Sequence, residues 1–283
     1  MLAGVVHRDG TVERHRETAT RTESQAALLD GLEDAVRELL DDEIAAVGLG
    51  VPARIDPQSG RVQGSVNTPL GELDLRTEMA ARLHLPVRVE NDAGAATLAE
   101  YTAGAGRESR TMVMLTLGTG VGGGVMLDGR LFRGWAELGH IVIEYDGEPC
   151  QGSCTGRGHL ETYVSGSAAT RAAQRVYGPA ADAHRLVRLA REGDATAVEI
   201  LAEIGRRLGA GIESLVNVFN PDVVVIGGGF AAAGELVLDP ARQGVREHAL
   251  RPANERTRIV RAELGTMAGL VGAGLIAFEA LAR

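Results

Sequence analysis

The sequence predicts an α/β protein, and three observations carry that reading. Short aliphatic runs alternate with segments of helical period, in the order strand, helix, strand. Polar residues gather where a strand ends and a helix opens, as at Glu90-Asn91-Asp92, the place where α/β sheets bind ligands. The core is aliphatic: hydrophobic residues make up 45% of the chain and aromatics only 3%. The 38 glycines add tight turns and close backbone approaches. The length of 283 residues allows one large domain or two of ordinary size.

In chain order, Leu2 to Val6 reads as a strand, Arg8-Asp-Gly10 as a hairpin turn and Thr11 to His15 as the returning strand. A chain opening in mid-hairpin, with no strand before it, reads as incomplete. Residues 22–40 place Ala26, Leu29, Leu32, Val36, Leu39 and Leu40 at helical spacing. Ile44 to Val51, before Pro52, suits a buried parallel strand. Residues 52–72, rich in Gly, Pro, Ser and Asn, read as a loop region containing Ser65-Val-Asn67-Thr-Pro69. A helix near Leu73–Leu83 and a short strand, Val87-Arg-Val89, follow, and Ala93 to Tyr101 makes a small-residue helix. For Asp92 two roles stand open. It can cap that helix, as Asp and Asn favour, or serve as a general base held between strand and helix; one carboxylate oxygen can do each.

Thr111 to Leu117 and Val121 to Leu127 are strands around Gly118-Thr119-Gly120, within L-G-T-G-V-G-G-G. The glycines can form a plain hairpin turn or a phosphate cradle of backbone N–H groups and a Thr hydroxyl. Gly166 to Gly211 is mainly helical, and Ile200, Ile204, Leu208, Ile212, Leu215 and Phe219 mark one face of a long helix stopped at Asn220-Pro221. Asp222 to Ile226 is an apolar strand running into Gly227 to Gly234, which resembles a dinucleotide turn. A Rossmann unit would want an acidic residue about 20 positions on, ending a second parallel strand. Positions 245–250 read as helix instead, so a nucleotide lying against a glycine turn fits better. Arg258 to Ala262 is the last strand, and Ala268 to Leu281 a closing small-residue helix. The domain seam falls in Gly104 to Ser109.

Composition removes several functions. The net charge is −9 with no dense basic run, which argues against nucleic acid. All 29 basic residues are arginine. Without lysine there is neither a Walker A phosphate loop nor a Schiff-base amine. No apolar run reaches the ~18 residues of a membrane span. Two cysteines and no charged-then-apolar leader point to the reducing cytoplasm.

Both cysteines sit in one dense stretch, Glu137 to Glu161. Cys150 and Cys154 form C-x3-C, His159 follows by five and His140 precedes by ten. Two free thiols with surface histidines would also fit. Four such ligands suit a closed, structural tetrahedral Zn2+ site. His140 can bind metal through one ring nitrogen and face a ligand with the other.

Taken together these motifs resemble the ROK family of sugar kinases and repressors. E-L-G-H, the cysteine cluster, G-x-L-E and Ser-Gly are similar to its signature; E-N-D-A-G-A-A resembles its E-N-D-A-N-A-A catalytic segment. L-G-T-G-V-G-G-G resembles its second phosphate motif and V-V-V-I-G-G-G its adenosine motif. The resemblance runs in order along nearly the whole chain. It implies an actin-like, RNase H-like ATPase fold with two α/β domains and a cleft between them. The small domain would span 1–107, closed by the helix 268–283, and the large domain 108–267 with the zinc loop. It implies phosphoryl transfer from ATP, with Mg2+, to a hexose hydroxyl, glucose first, by a homodimer or homotetramer. By motif position, Asp92 would be the base; Asn91, Glu137, His140, Glu161 and, in the S-V-N-T-P loop, Asn67 would hold the sugar. Thr119 and Gly120 would contact phosphate, and Gly228 and Gly229 would lie by the adenosine. Zn2+ would be held by His140, Cys150, Cys154 and His159.

Three departures from the family pattern set further expectations. The D-x-G-G-T-K segment expected before Met1 to Val6 is absent from the sequence, so either the start is misassigned or the protein is impaired for ATP and acts as a sugar-binding regulator. The family's third cysteine is His159 here, and its first two are separated by three residues instead of one. The glycine-rich insert before E-x-G-H is shortened to Arg133-Gly-Trp135-Ala136, which would reshape the sugar pocket.

Overall fold

The structure, a computed structural model, describes every residue except Pro57, Val66, Asn67, Ser153, Ala282 and Arg283. It divides into two compact units. One holds Met1–Arg107, Arg133–Trp135 and Leu264–Arg283; the other holds Glu108–Phe132 and Ala136–Glu263.

The first unit opens with the expected hairpin. Strand β1 (Leu2–Val6) runs antiparallel to β2 (Val12–Glu17), with Gly10 at φ +86° in the turn. Helix α1 (Gln25–Arg37) starts where the Ser24 hydroxyl accepts the Ala27 N–H, and it buries Leu28 and Leu29. Strand β3 (Val47–Val51) follows. The next stretch departs from the expected loop. It forms an antiparallel sheet of β4 (Ala53–Ile55), β5 (Arg61–Ser65) and β6 (Leu73–Asp74). Those strands are too short for an alternating pattern to show, but Ala53 and Val62 anchor them in the first core. Helix α2 (Leu75–Leu83) is capped by Asp74, and β7 (Val87–Asn91) then pairs parallel with β3, Val47 opposite Val87 and Val51 opposite Asn91. Helix α3 (Asp92–Ala103) begins directly at the end of β7.

In the second unit, β8 (Met112–Leu117) and β9 (Val121–Leu127) form a hairpin, extended by β10 (Arg130–Leu131). A helical region follows: α4 (Leu160–Val164), α5 (Gly166–Tyr177), α6 (Ala183–Arg191) and α7 (Ala195–Phe219). The expected stop holds: Asn220 takes the left-handed conformation just past α7, at φ 44°. Strand β11 (Val223–Gly227), helices α8 (Glu235–His248) and α9 (Ala253–Arg256), and β12 (Arg258–Arg261) complete it. The sheet order is β10-β9-β8-β11-β12, with β11 parallel to both its neighbours. Val223 to Ile226 are wholly inaccessible, as expected of a central strand covered on both faces.

The last helix, α10 (Ala268–Ala277), belongs to the first unit, where it packs on β1, β3 and α3. Glycine makes that contact: a methyl group on Gly48 would overlap the Ala273 carbonyl oxygen, and one on Gly272 would overlap the Ala95 carbonyl. Helix and strand therefore meet backbone to backbone, which explains the small-residue run. Gly48→Ala and Gly272→Val should each destabilise the protein by about 1–3 kcal/mol, the usual cost of overpacking. Gly269→Ala, on the same helix with open space where its Cβ would lie, should be neutral or gain up to ~1 kcal/mol in helix propensity. Urea unfolding of the three variants checks the contrast.

Candidate functional site

In the first unit the sequence-predicted residues meet at the β7–α3 turn. The cap is Asn91, not Asp92. Its Oδ1 accepts the Ala93 and Gly94 N–H groups at 2.9 and 3.2 Å, and its Nδ2 donates to the Ala53 carbonyl at 3.2 Å. Asp92 is the first helical residue; its Oδ1 accepts the Ala93 N–H at 2.9 Å. Its carboxylate is open to solvent on one side and crowded by protein on the other. That crowding pushes its pKa above the ordinary aspartate value, against the lowering effect of the Ala93 N–H. Asn91 is the cap, and Asp92 shares only the Ala93 N–H with it, through Oδ1.

Behind this turn lies a charge cluster that the motifs did not announce. Glu90 accepts the Asn91 N–H at 3.1 Å through Oε1 and an Arg133 N–H at 3.1 Å through Oε2. Arg133 also grips both oxygens of Glu279 at 2.7 and 2.6 Å. An arginine in the shortened segment before E-x-G-H was the available signal, but its partners are far apart in sequence. Arg54 lies over the ring of the exposed Trp135, 5.4 Å from its centroid. Asn67 lies outside the described residues.

The second unit gathers the other candidates along the carboxyl ends of β8 and β11. The Gly118-Thr119-Gly120 turn is closed by the Gly118 N–H donating to the Gly120 carbonyl at 2.9 Å. Glu161, in the first turn of α4, accepts the Val121 N–H at 2.8 Å through Oε2. A Cβ at position 120 would overlap that carboxylate where it now lies, so a side chain there would have to displace Glu161. Among the described residues, the Thr119 and Gly120 N–H groups and the Thr119 hydroxyl donate to no protein acceptor. Gln151, another residue the motifs did not announce, donates to the Thr119 carbonyl at 3.2 Å. At the end of β11, Gly228 sits at φ +84°, so close to the Leu117 backbone that no side chain fits. Gly229 opens a short 3-10 turn, Gly229–Ala233.

The cysteine stretch folds back on itself. Isolated bridges pair Val142 with His159 and Pro149 with Arg157, and the Cys150 N–H donates to the Gly156 carbonyl at 2.9 Å. Glu137 precedes the 3-10 turn Leu138–His140 and is exposed. The turn presents His140 to the cysteines. One ligand atom each of His140, Cys150, Cys154 and His159 lies within 4.8 Å of all the others. The two Nδ1 atoms are 3.2 Å apart, Cys150 Sγ is 3.8 Å from His140 Nδ1, and Cys154 Sγ is 3.6 Å from His159 Nδ1. Tetrahedral Zn–N and Zn–S bonds of about 2.0 and 2.3 Å place ligand atoms roughly 3.3–3.8 Å from one another. The donor set and its spacing therefore fit zinc. Burial, and the neighbouring His140, hold His159 below the ordinary imidazole range, in the neutral form that binds metal. Cys150 Sγ also approaches Glu161 Oε1 at 3.9 Å, so the cluster and the glycine turn share Glu161.

The ROK family model matches residues 1–280. The chain is 35% identical to a glucokinase of Streptomyces coelicolor, over 99% of this chain and 94% of that protein. Its structure is similar to that of a ROK family glucokinase from Streptomyces griseus in complex with glucose and AMPPNP, with 34% identity, a TM-score of 0.83 and coverage of 98% and 95%. It is similar also to a ROK family transcriptional regulator, a homologue of the E. coli MLC protein, with 27% identity, a TM-score of 0.87 and coverage of 99% and 75%. The mixed α/β architecture is that of the actin-like ATPases, and the chain belongs to the ROK family.

Proposed function

We propose that this chain is an ATP-dependent hexose kinase acting on glucose at O6. The observation that carries the reading is the β7–α3 turn, where Asn91 takes the helix cap and leaves the Asp92 carboxylate exposed beside it. Asp92 takes the proton of the sugar hydroxyl as that oxygen attacks the γ-phosphoryl group. Such general-base help is worth ~10²–10⁴-fold; positioning and charge stabilisation supply the rest. Glu137, His140 and Glu161 accept from or donate to the other sugar hydroxyls, with Asn67 and Asn91 as further contacts. Glu161 has Oε1 for this, since Val121 takes Oε2. A carboxylate left unpaired by a sugar lacking the matching hydroxyl is costly, which makes these contacts selective.

The nucleotide's phosphates lie on the N–H groups of Thr119 and Gly120, and its adenosine against Gly228 and Gly229. Mg2+ is carried by the phosphates, as is usual for this small, strongly hydrated ion. Zinc, held by His140, Cys150, Cys154 and His159, braces the loop. His140 offers Nδ1 to the cluster, leaving Nε2 for substrate. A sugar-responsive regulator without phosphoryl transfer is the second reading, supported by the likeness to the ROK transcriptional regulator.

A coupled assay with glucose and ATP tests the first reading. Asp92→Asn should lower turnover ~10²–10⁴-fold while glucose affinity, measured by calorimetry, changes only a few-fold; unchanged turnover would remove Asp92 as the base. Wild-type protein that binds glucose yet never turns over would instead favour the regulator. The pH profile gives a second check. A general base must be ionised, and crowding raises the Asp92 pKa, so activity should fall on the acid side at a pH above the ordinary aspartate value of 3.8. Metal analysis should find about one zinc per chain, and Cys150→Ser or Cys154→Ser should lose it and lower the melting temperature. A wild-type content well below one ion per chain would end the zinc assignment.

A further inference from the structure

The Gly118-Thr119-Gly120 turn has three backbone carbonyls, and each accepts a protein donor. The Gly166 N–H reaches the Gly118 carbonyl at 2.7 Å, and the Gly118 N–H reaches the Gly120 carbonyl at 2.9 Å. Both of those donors are backbone groups set by the fold: Gly166 opens α5, and Gly118 belongs to the turn itself. The Thr119 carbonyl is different. It accepts from a side chain, the Gln151 amide, at 3.2 Å. Among the described residues no other donor reaches it.

A trans peptide is planar, so the carbonyl of one residue and the N–H of the next point in opposite directions. A donor on a carbonyl therefore aims the following N–H away from itself. Gly166 in this way orients the Thr119 N–H, and Gln151 orients the Gly120 N–H. The Thr119–Gly120 peptide also has a glycine on one side, which gives its plane more freedom to turn over than an ordinary residue would. One N–H of the turn thus depends on one side chain for its direction.

Gln151 is itself held. Arg171 of α5 donates to the Thr162 carbonyl at 2.7 Å through Nη2, and its Nη1 lies 3.4 Å from Gln151 Oε1. An arginine has only donors and a backbone carbonyl only accepts. The two neighbours therefore select one orientation of the amide, oxygen towards Arg171 and nitrogen towards Thr119; the flipped amide would set like groups against each other at both ends. The chain just before Gln151 is fixed as well, because the Cys150 N–H donates to the Gly156 carbonyl at 2.9 Å. Gln151 belongs to the three-residue spacer between Cys150 and Cys154, where the family pattern has one residue.

We propose that Gln151 is a positioning residue for the nucleotide phosphates: oriented by Arg171, it holds the Thr119–Gly120 peptide so that the Gly120 N–H is turned to the anion. The inference rests on the reading of this turn as the phosphate site. Gln151 acts through the peptide, not by touching phosphate. Its bond to the carbonyl also polarises that peptide, which strengthens the N–H on the opposite side as a donor.

The test uses Gln151→Met in the full chain, which keeps the side-chain length and removes the amide. Calorimetry with AMPPNP should show affinity about 3- to 10-fold lower, the net worth of one hydrogen bond. In the coupled assay the KM for ATP should rise by the same factor, with the KM for glucose, the zinc content and the melting temperature unchanged. AMPPNP should slow amide exchange at Gly120 in the wild type and less so in the variant. Adding Arg171→Met to Gln151→Met should weaken AMPPNP binding no further, because the two side chains act in series; a further loss of the same size would overturn the role given to Arg171. Equal AMPPNP binding by wild type and Gln151→Met would overturn the inference while leaving the phosphate site standing. Glucose affinity or zinc lost in parallel would also overturn it, since the variant would then disturb the whole loop. Wild-type protein that does not bind AMPPNP would remove the phosphate reading, and this inference with it.

Discussion

The Val121 N–H donates to the Glu161 carboxylate at 2.8 Å, and the second unit's candidate site is organised around that bond. It joins the start of β9 to the start of α4, forty residues apart. Because the carboxylate sits against the glycine turn, a side chain at position 120 would push Glu161 away from Val121. Because Glu161 follows His159 by two residues, the same bond also sets the register of the cysteine loop, and Cys150 Sγ lies 3.9 Å from the second carboxylate oxygen. Glycine turn and ligand cluster thus meet at one carboxylate, whose two oxygens face Val121 and Cys150.

The first unit divides labour differently. An Asn-Asp pair at a helix start could place either side chain on the exposed N–H groups. Here Asn91 takes both its acceptor bonds from the helix and gives its amide to Ala53. Those bonds fix Asn91 at the helix start, while Asp92 accepts only the Ala93 N–H, through Oδ1. The half-buried Arg133 neutralises Glu90 and Glu279, so Glu90 can hold the Asn91 N–H through Oε1 without standing as an unpaired carboxylate beside the turn.

Much of this was legible in the sequence, because the signals were local. The Gly10 turn, the Asn220 helix end, the β8–β9 hairpin and the C-x3-C ligands each depend on residues within a few positions of one another. What the sequence hid was long-range or short. The β4–β6 sheet has strands too brief to alternate. The Arg133–Glu279 pair spans 146 positions, and nothing in an isolated arginine names its partner. At Asp92 the pattern allowed cap or base, and only the observed bonds assigned the cap to Asn91. The small-residue run of the last helix was visible, but its reason was not until Gly48 and Gly272 were seen against facing carbonyls.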